Sequence, residues 1–596
     1  MPEDLGRGVA AVQRESGEVF VSWRLLARDP NEVGFHVYRQ VEGRATCLTG
    51  EPLFSQTGFV DEEAPSNGRI AYFVTPVIDG KAQAASKPFS IAVSANPKPY
   101  LSIPLETPPG TTPNDVSVGD LDGDGGYELV LKQAPPGRDN AHAGFTDPTY
   151  LQAYELDGTL LWTINLGVNI RSGAHYTQFM VFDFDGDGKA EVACKTADGT
   201  VDGTGQVIGD AQADHRNQAG YVLAGPEFLT VFDGETGRAL ATEHYIPPRH
   251  PDTQNPTPEQ LEAVWGDGYG NRVDRFLAAV AYLDGERPSL VMGRGYYTRT
   301  VLAAWNWRGG NLEPVWIFDS AKGGETNQAY AGQGYHSLSV ADVDSDGRDE
   351  ILYGACAIDD DGTGLYATGL GHGDAMHVSD IDPTREGFEL FGIHENPQHA
   401  HGANLRDART GEIIWSLPLP DTARGLAMDI DPRYPGYECW TNNSDGLYAA
   451  SGRRIGPKKP SSCNMGIWWD GDLLREILDG GRQGEGYIGK WNHQQNRMRR
   501  LLDGGLYDCV VNNGSKANPC LVADIVGDWR EEVLWRTREG DELRLFTSDI
   551  PTTHRMVSLM QDHVYRLSIA WQNVGYNQPP HPGFYLGAPV EPASSH

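Results

Sequence analysis

The chain reads as an all-β protein in which a small antiparallel β-sandwich precedes an eight-bladed β-propeller. Three observations predict it. The first ninety-odd residues alternate apolar and polar positions in short runs separated by turn-rich stretches. Beyond them one unit recurs to the end of the chain: a short apolar strand, an acidic loop and a second apolar strand. Between these units lie hairpins with Asp-Gly or Thr-Gly turns. At 596 residues the chain is too long for one ordinary core, so a repeat architecture with an accessory domain is the natural expectation.

Taken in order, strand patterns fall at Val19–Trp23, Phe35–Tyr38, Tyr72–Val77 and Phe89–Val93, and this sandwich resembles a fibronectin type III module. Ala95-Asn96-Pro97-Lys98-Pro99 reads as a linker, which places one domain at residues 1–96 and the propeller at 97–596. Hairpins are legible at Leu151–Trp162, Leu229–Arg238 and Ala403–Trp415. Units of about four strands read as propeller blades; their spacing fits seven or eight, with eight preferred. A closed ring leaves no long exposed sheet edge, which suits so large an all-β domain. A short helical insertion is expected over Pro251–Gln260.

The acidic loops carry the first chemical signal. Asp120-Leu-Asp122-Gly-Asp124-Gly-Gly-Tyr-Glu128, Asp183-Phe-Asp185-Gly-Asp187-Gly-Lys-Ala-Glu191 and Asp342-Val-Asp344-Ser-Asp346-Gly-Arg-Asp-Glu350 are near-identical in spacing. Degenerate copies stand at Asp380-Ile-Asp382, Asp429-Ile-Asp431 and Asp524-Ile-Val-Gly-Asp528-Trp-Arg-Glu-Glu532, with a weak one at Tyr282-Leu-Asp284-Gly-Glu286. Carboxylates at alternate positions supply the hard oxygen ligands that calcium prefers. The closing Glu comes at the ninth position and strands flank the loop, so these are not EF-hands. Turn formation alone explains Asp and Gly but not three carboxylates plus a Glu. Several calcium ions are therefore expected, mostly structural.

The net charge of −34 argues against nucleic acid, which needs a basic footprint. No apolar run is long enough to span a bilayer. The start, Met1-Pro2-Glu3-Asp4, carries no visible secretion signal. The protein is expected to be cytoplasmic, or secreted if a signal was removed, and monomeric. Cys47, Cys194, Cys356, Cys439, Cys463, Cys509 and Cys520 are odd in number and lack a CxxC, so they encode neither a disulfide framework nor a zinc site.

Each acidic loop ends a strand, so the residues that begin those strands must gather on the opposite face. They are Asn114 and Asp115, His175 and Tyr176, Tyr335 and His336, His372 and Asp374, Arg424, and Asn513 to Lys516. Such a mixture around a pore suits a polysaccharide site. The stretches Gly173–Met180, Lys195–Thr200, Gly371–His377, Gly425–Pro432, Gly466–Arg475, Gly527–Glu532 and Ala570–Pro580 make the chain similar, over almost its whole length, to the family 11 polysaccharide lyases, bacterial-type enzymes that cleave rhamnogalacturonan I.

The resemblance implies an eight-bladed propeller with many calcium ions and β-elimination at galacturonate: the C5 proton leaves, the bond at O4 breaks, and an unsaturated uronate remains. It implies Lys516 as base or charge neutraliser and Arg424 as a second catalytic residue. His336, His372 and Asp374 match site residues and would hold a catalytic calcium, although calcium's preference for oxygen points the histidines toward orienting ligands or sugar hydroxyls. Asn513, Gly514 and Ser515 match a sugar-contacting loop, with Ser515 where the family motif has Thr. Asn573 and Tyr576 are further substrate-binding candidates; Tyr576 would stack on a pyranose or donate to the leaving oxygen. Trp468 and Trp469 read as packing between blades. Two other readings compete: a calcium-loop propeller acting as a binding module, and a glycoside hydrolase with paired carboxylates.

Overall fold

The computed structural model describes residues 3–395 and 400–587. The architecture is nearly all β. Two antiparallel sheets come first. One pairs Ala10–Gln13, Val19–Ser22 and Gly58–Asp61; the other is built on Gly34–Val41 and Gly68–Ile78. They close on Trp23, Phe35, Val37, Tyr72 and Val74. All four strands expected in this region are present, each within a few residues of the sequence reading.

Eight antiparallel sheets follow in chain order, each of four or more strands. Their first strands are short and wholly buried in most sheets; Phe276–Ala281, for example, buries every residue. That burial on both faces explains why they read as continuous apolar runs. The first strands of the first six sheets touch in succession, beginning with Thr112–Gly119 against Phe179–Phe182 and then Phe276–Ala281, and Leu521–Ala523 of the eighth sheet touches Thr112–Gly119. The eighth sheet takes its outer strand from Leu101–Pro104, with Ile103 opposite Leu543, so the two ends of this region share one sheet. The helix His563–Trp571 lies against the first strands of the first four sheets and contributes Leu567, Ala570 and Trp571 to the largest apolar core.

One register recurs and positions the loops. The closing Glu of each acidic loop opens the second strand and faces the last residue of the first: Glu128 opposite Gly119, Glu191 opposite Phe182, Glu350 opposite Ala341. Glu389, Glu438, Glu476 and Glu532 stand likewise. Each carboxylate accepts a backbone N–H from the start of its loop, such as Leu121, Phe184 and Val343 at 2.7–2.9 Å. The loop Asp470–Glu476 therefore belongs to the series, although its sequence does not announce it. In the third sheet Ser289 takes the Glu position, which accounts for the weak copy at Asp284.

The helical insertion differs in place: the helix runs over Pro258–Trp265. Thr257 and Gln260 form a capping box and Pro258 starts the helix, so residues 251–256 remain loop. Six cysteines are buried, Cys47 is exposed, and none is bridged. Trp468 and Trp469 are buried, at 1% and 6% exposure. Among the described residues no helix is long and apolar enough to cross a membrane.

Candidate active site

The strand starts converge as the repeat requires. His175 precedes the second sheet, His336 the fourth, His372 the fifth and Arg424 the sixth, and Lys516 precedes the strand Leu521–Ala523 of the eighth. Asn114 lies at the start of the first sheet, where its amide donates to Asn513 Oδ1 at 3.4 Å. A cavity of about 320 Å³ opens between the first, second and eighth sheets, lined by Asn114, Lys132, His175, Asn513, Lys516 and Tyr576. A larger hollow of about 800 Å³ lies between the sandwich and the first acidic loop and contains none of these side chains.

Ring contacts tie the cluster together. Tyr576 stacks on His336 at 4.1 Å, and Lys516 Nζ sits 3.8 Å above the centre of the Tyr576 ring. His336 lies 5.0 Å from His175 and 4.7 Å from His372. Its ring nitrogens are paired with the hydroxyls of Tyr296 at 2.9 Å and Tyr297 at 3.1 Å. Gly575 lets Tyr576 approach: at φ 62° a side chain would be strained, and a Cβ would collide with the His336 carbonyl. Tyr576 N–H donates to that same carbonyl at 2.9 Å.

His336, His372, Asp374 and Glu395 each offer a ligand atom within 4.8 Å of the others. His372 Nδ1 bonds the Gly334 carbonyl at 2.5 Å, which leaves Nε2 as a lone pair. That Nε2 and Asp374 Oδ1 are buried without hydrogen-bond partners. Two orphaned acceptors beside a second carboxylate fit a bound cation. Desolvation raises both Asp374 and Glu395, the latter to about 7; Lys516 and Arg424 offset part of the rise at Asp374, while Asp374 adds to the rise at Glu395.

The cations behave oppositely. Burial lowers the proton affinity of Lys516, and Arg424 lowers it further, while Asp374, Glu395 and Asp421 pull it back. Arg424 is buried; one terminal nitrogen bonds the carbonyls of Asn464 and Asn577, and Nε and Nη1 are left without partners. Burial drives His175 and His336 well below 6.5, with Arg275 and Lys516 contributing, so both rings are neutral at neutral pH. Burial, then Asp374, raises Tyr576, which stays a protonated phenol.

Some expected residues stand elsewhere. Asn573 is buried and its amide donates to the carbonyls of Phe179 and Ala570, so it fastens the C-terminal segment rather than facing the cleft. Tyr335 pairs with His394, and Tyr176 with Arg171, inside the fold. Asp115 is locked in a buried pair with Lys132 and accepts from Asn577 at 3.0 Å. Asn513, Gly514 and Ser515 form an exposed rim on a single 3-10 turn that delivers Lys516. Two residues went unread. Glu395 follows the strand Glu389–His394, and its N–H bonds the His372 carbonyl, a juxtaposition only strand pairing creates. Arg275 immediately precedes the first strand of the third sheet, and the strand-start rule would have found it had that sheet's loop been stronger.

In the acidic loops Asp120, Asp122 and Glu128 converge, as do Asp183, Asp185 and Glu191, and Asp342, Asp344 and Glu350. Asp346 also meets Glu350 and Asp360. Asp124 and Asp187 instead accept backbone N–H groups of Gly126 and Lys189 at 2.8 Å, and Asp124 pairs with Lys87 of the sandwich. Buried orphan oxygens on Glu350, Asp380, Asp429, Glu438 and Asp524 fit cations there as well. Asp382 accepts from Thr384. Asp431 and Asp528 require correction as free ligands. Arg433 and Arg530 each grip both carboxylate oxygens at 2.5–2.9 Å, so a guanidinium neutralises them.

A family model described as the C-terminal domain of rhamnogalacturonan lyase family 11 matches residues 100–595, and one described as the rhamnogalacturonan I lyase beta-sheet domain matches residues 1–92. The chain belongs to rhamnogalacturonan lyase family 11. It is thus a polysaccharide lyase. The rhamnogalacturonan endolyase YesW of Bacillus subtilis (strain 168) is 53% identical over 597 residues, covering 98% of this chain and 91% of that protein. The exolyase YesX of the same organism is 52% identical over 617 residues, covering 99% and 97%. The crystal structure of YesW superposes with a TM-score of 0.92 at 51% identity, covering 99% of this chain and 98% of that one. The Bacillus licheniformis family 11 lyase gives 0.91 at 55% identity, covering 98% and 97%.

Proposed function

We propose that this lyase cleaves the α-1,4 rhamnose–galacturonate bond of the rhamnogalacturonan I backbone of pectin by β-elimination, leaving an unsaturated galacturonate at the new non-reducing end. One observation carries the reading: Lys516, with its lowered proton affinity, stands with the buried, half-unpaired Arg424 beside the cluster of His336, His372, Asp374 and Glu395.

Galacturonate C5–H is a weak acid because removing its proton piles charge onto an existing carboxylate. Calcium held by Asp374 and Glu395, with His372 Nε2 lending a lone pair or orienting a bound water, would supply positive charge to that carboxylate. Arg424 keeps Nε and Nη1 unpartnered in a dry setting, where a charge-assisted bond to the uronate is strongest. Lys516 takes the C5 proton; its desolvation makes the neutral amine accessible nearer neutral pH. Tyr576, kept protonated, donates to the leaving O4 or packs its ring on the pyranose. The exposed rim of Asn513, Gly514 and Ser515 with Asn114 offers amide and hydroxyl groups to the flanking sugar.

The same reading takes the eight sheets as propeller blades, supported by touching first strands, the shared eighth sheet and the helix packed along them. It divides the chain at residues 96 and 97, and places calcium in the converging loops. The test is incubation with rhamnogalacturonan I while following ultraviolet absorbance of the unsaturated uronate, with calcium and with chelator. Rising absorbance that chelation abolishes is expected; cleavage without absorbance would point to hydrolysis.

A further inference from the structure

The seventh sheet repeats the strand register of the acidic loop and the placing of its closing Glu. Glu476 faces Ile467, the last residue of the first strand, and its carboxylate accepts the Trp469 N–H at 2.8 Å. Asp470 and Asp472 stand in the loop as Asp122 and Asp124 do in the first sheet, and Trp468 takes the place of Asp120. What differs is the residue across from the Glu on the third strand. Glu389 faces Asp407 in the fifth sheet. Continuing the strand register by one residue, Glu128 faces Glu155, Glu191 faces Asp233 and Glu350 faces Asp359. In the seventh sheet that place belongs to Lys490, one step from the pair Ile477–Gly489.

The side chain completes the argument. Lys490 Nζ lies 2.8 Å from Asp470, 2.7 Å from Asp472 and 2.8 Å from Glu476. An ammonium has three N–H donors and no acceptor, and here each donor meets one carboxylate. Among the described residues Asp124 pairs with the exposed Lys87, but no Lys or Arg pairs with Asp122, Glu128, Asp185, Asp187, Glu191, Asp344, Asp346 or Glu350, and none bridges three carboxylates of those loops. Where the first, second, fourth and fifth sheets add a further acid, the seventh adds a cation.

We propose that Lys490 occupies the cation position of the seventh loop, so that this loop takes no metal while the loops of the first, second and fourth sheets do. The proposal rests on the reading of those three loops as calcium sites. It makes the seventh sheet indifferent to chelation and lowers the chain's calcium count by one relative to its number of intact loop frames.

Anomalous diffraction from wild-type crystals grown in calcium separates the two. Peaks in the three open loops with none among Asp470, Asp472 and Glu476 is the expected result. A peak there overturns the proposal, and no peaks at all would instead sink the calcium reading. In solution, elemental analysis after gel filtration in dilute calcium should give Lys490→Glu one more ion per chain than wild type, and calcium should raise its unfolding temperature more. An unchanged count in folded Lys490→Glu would overturn the proposal. If that variant does not fold, the wild-type diffraction decides alone.

Discussion

Removing metal from the acidic loops should convert a pH-tolerant protein into one that weakens as pH rises. Burial pushes Glu128, Glu191 and Glu350 from 4.5 to about 8, against the single backbone N–H that each accepts. Neighbouring aspartates add repulsion in all three loops. At 1.36 kcal/mol per pH unit, that gap is roughly 5 kcal/mol for a carboxylate ionised without a counter-ion. Water on the open side of each loop screens a large part, leaving on the order of 2 kcal/mol per loop and about 6 kcal/mol for three. A carboxyl raised on folding holds its proton more tightly in the native state. Its contribution is therefore complete below about pH 4.5 and is lost as pH climbs to about 8. Urea unfolding of the metal-free protein should show stability falling across that window, by a sizeable fraction of a typical 5–15 kcal/mol total. With calcium bound the carboxylates are already neutralised and the fall should disappear. Equal stability of the metal-free protein at pH 5.5 and pH 8.5, or the same calcium increment at both, would refute the reasoning.

Three further outcomes follow from the site. Lys516→Ala should lower kcat by about 10²–10⁴-fold with far-ultraviolet circular dichroism unchanged, and wild-type kcat/KM should rise with pH through a value below 10.5, the sign expected of a base active when deprotonated. Arg424→Lys keeps a charge but loses the planar fork, and kcat/KM should fall on the order of 10²-fold in steady-state assays. Gly575→Ala forces a side chain into the left-handed region and against His336; thermal melts should show about 1–3 kcal/mol of destabilisation, with activity falling as Tyr576 shifts.

Much of this protein is legible in one sequence because its repeat gathers chemically distinctive residues at both ends of each first strand. The acidic loop marks where a first strand stops, and counting back to where it starts picks out His175, His336, His372, Arg424 and Lys516 without any structure. The rule fails where the marker fades. The third sheet has Ser289 in place of the Glu, so Arg275 was passed over. Glu395 was invisible because its nearness to His372 is a matter of strand register. Asn573 misled because family motifs record fastening as faithfully as chemistry, and its amide fastens backbone. Asp431 and Asp528 misled for a related reason: an Asp two residues before an Arg in a tight loop binds that Arg first, a local geometry that spacing to other acids cannot reveal. Lys490 is the same lesson from outside the loop, since two of its partners lie in the loop and the third on the neighbouring strand.

Elimination and hydrolysis differ in whether water enters the product. Digestion of rhamnogalacturonan I oligosaccharides in heavy-oxygen water, followed by mass spectrometry, tests that directly. The account predicts products that carry no solvent oxygen at the cleaved bond, with an unsaturated uronate one water lighter than its hydrolytic counterpart. Solvent oxygen in the new chain ends would contradict it.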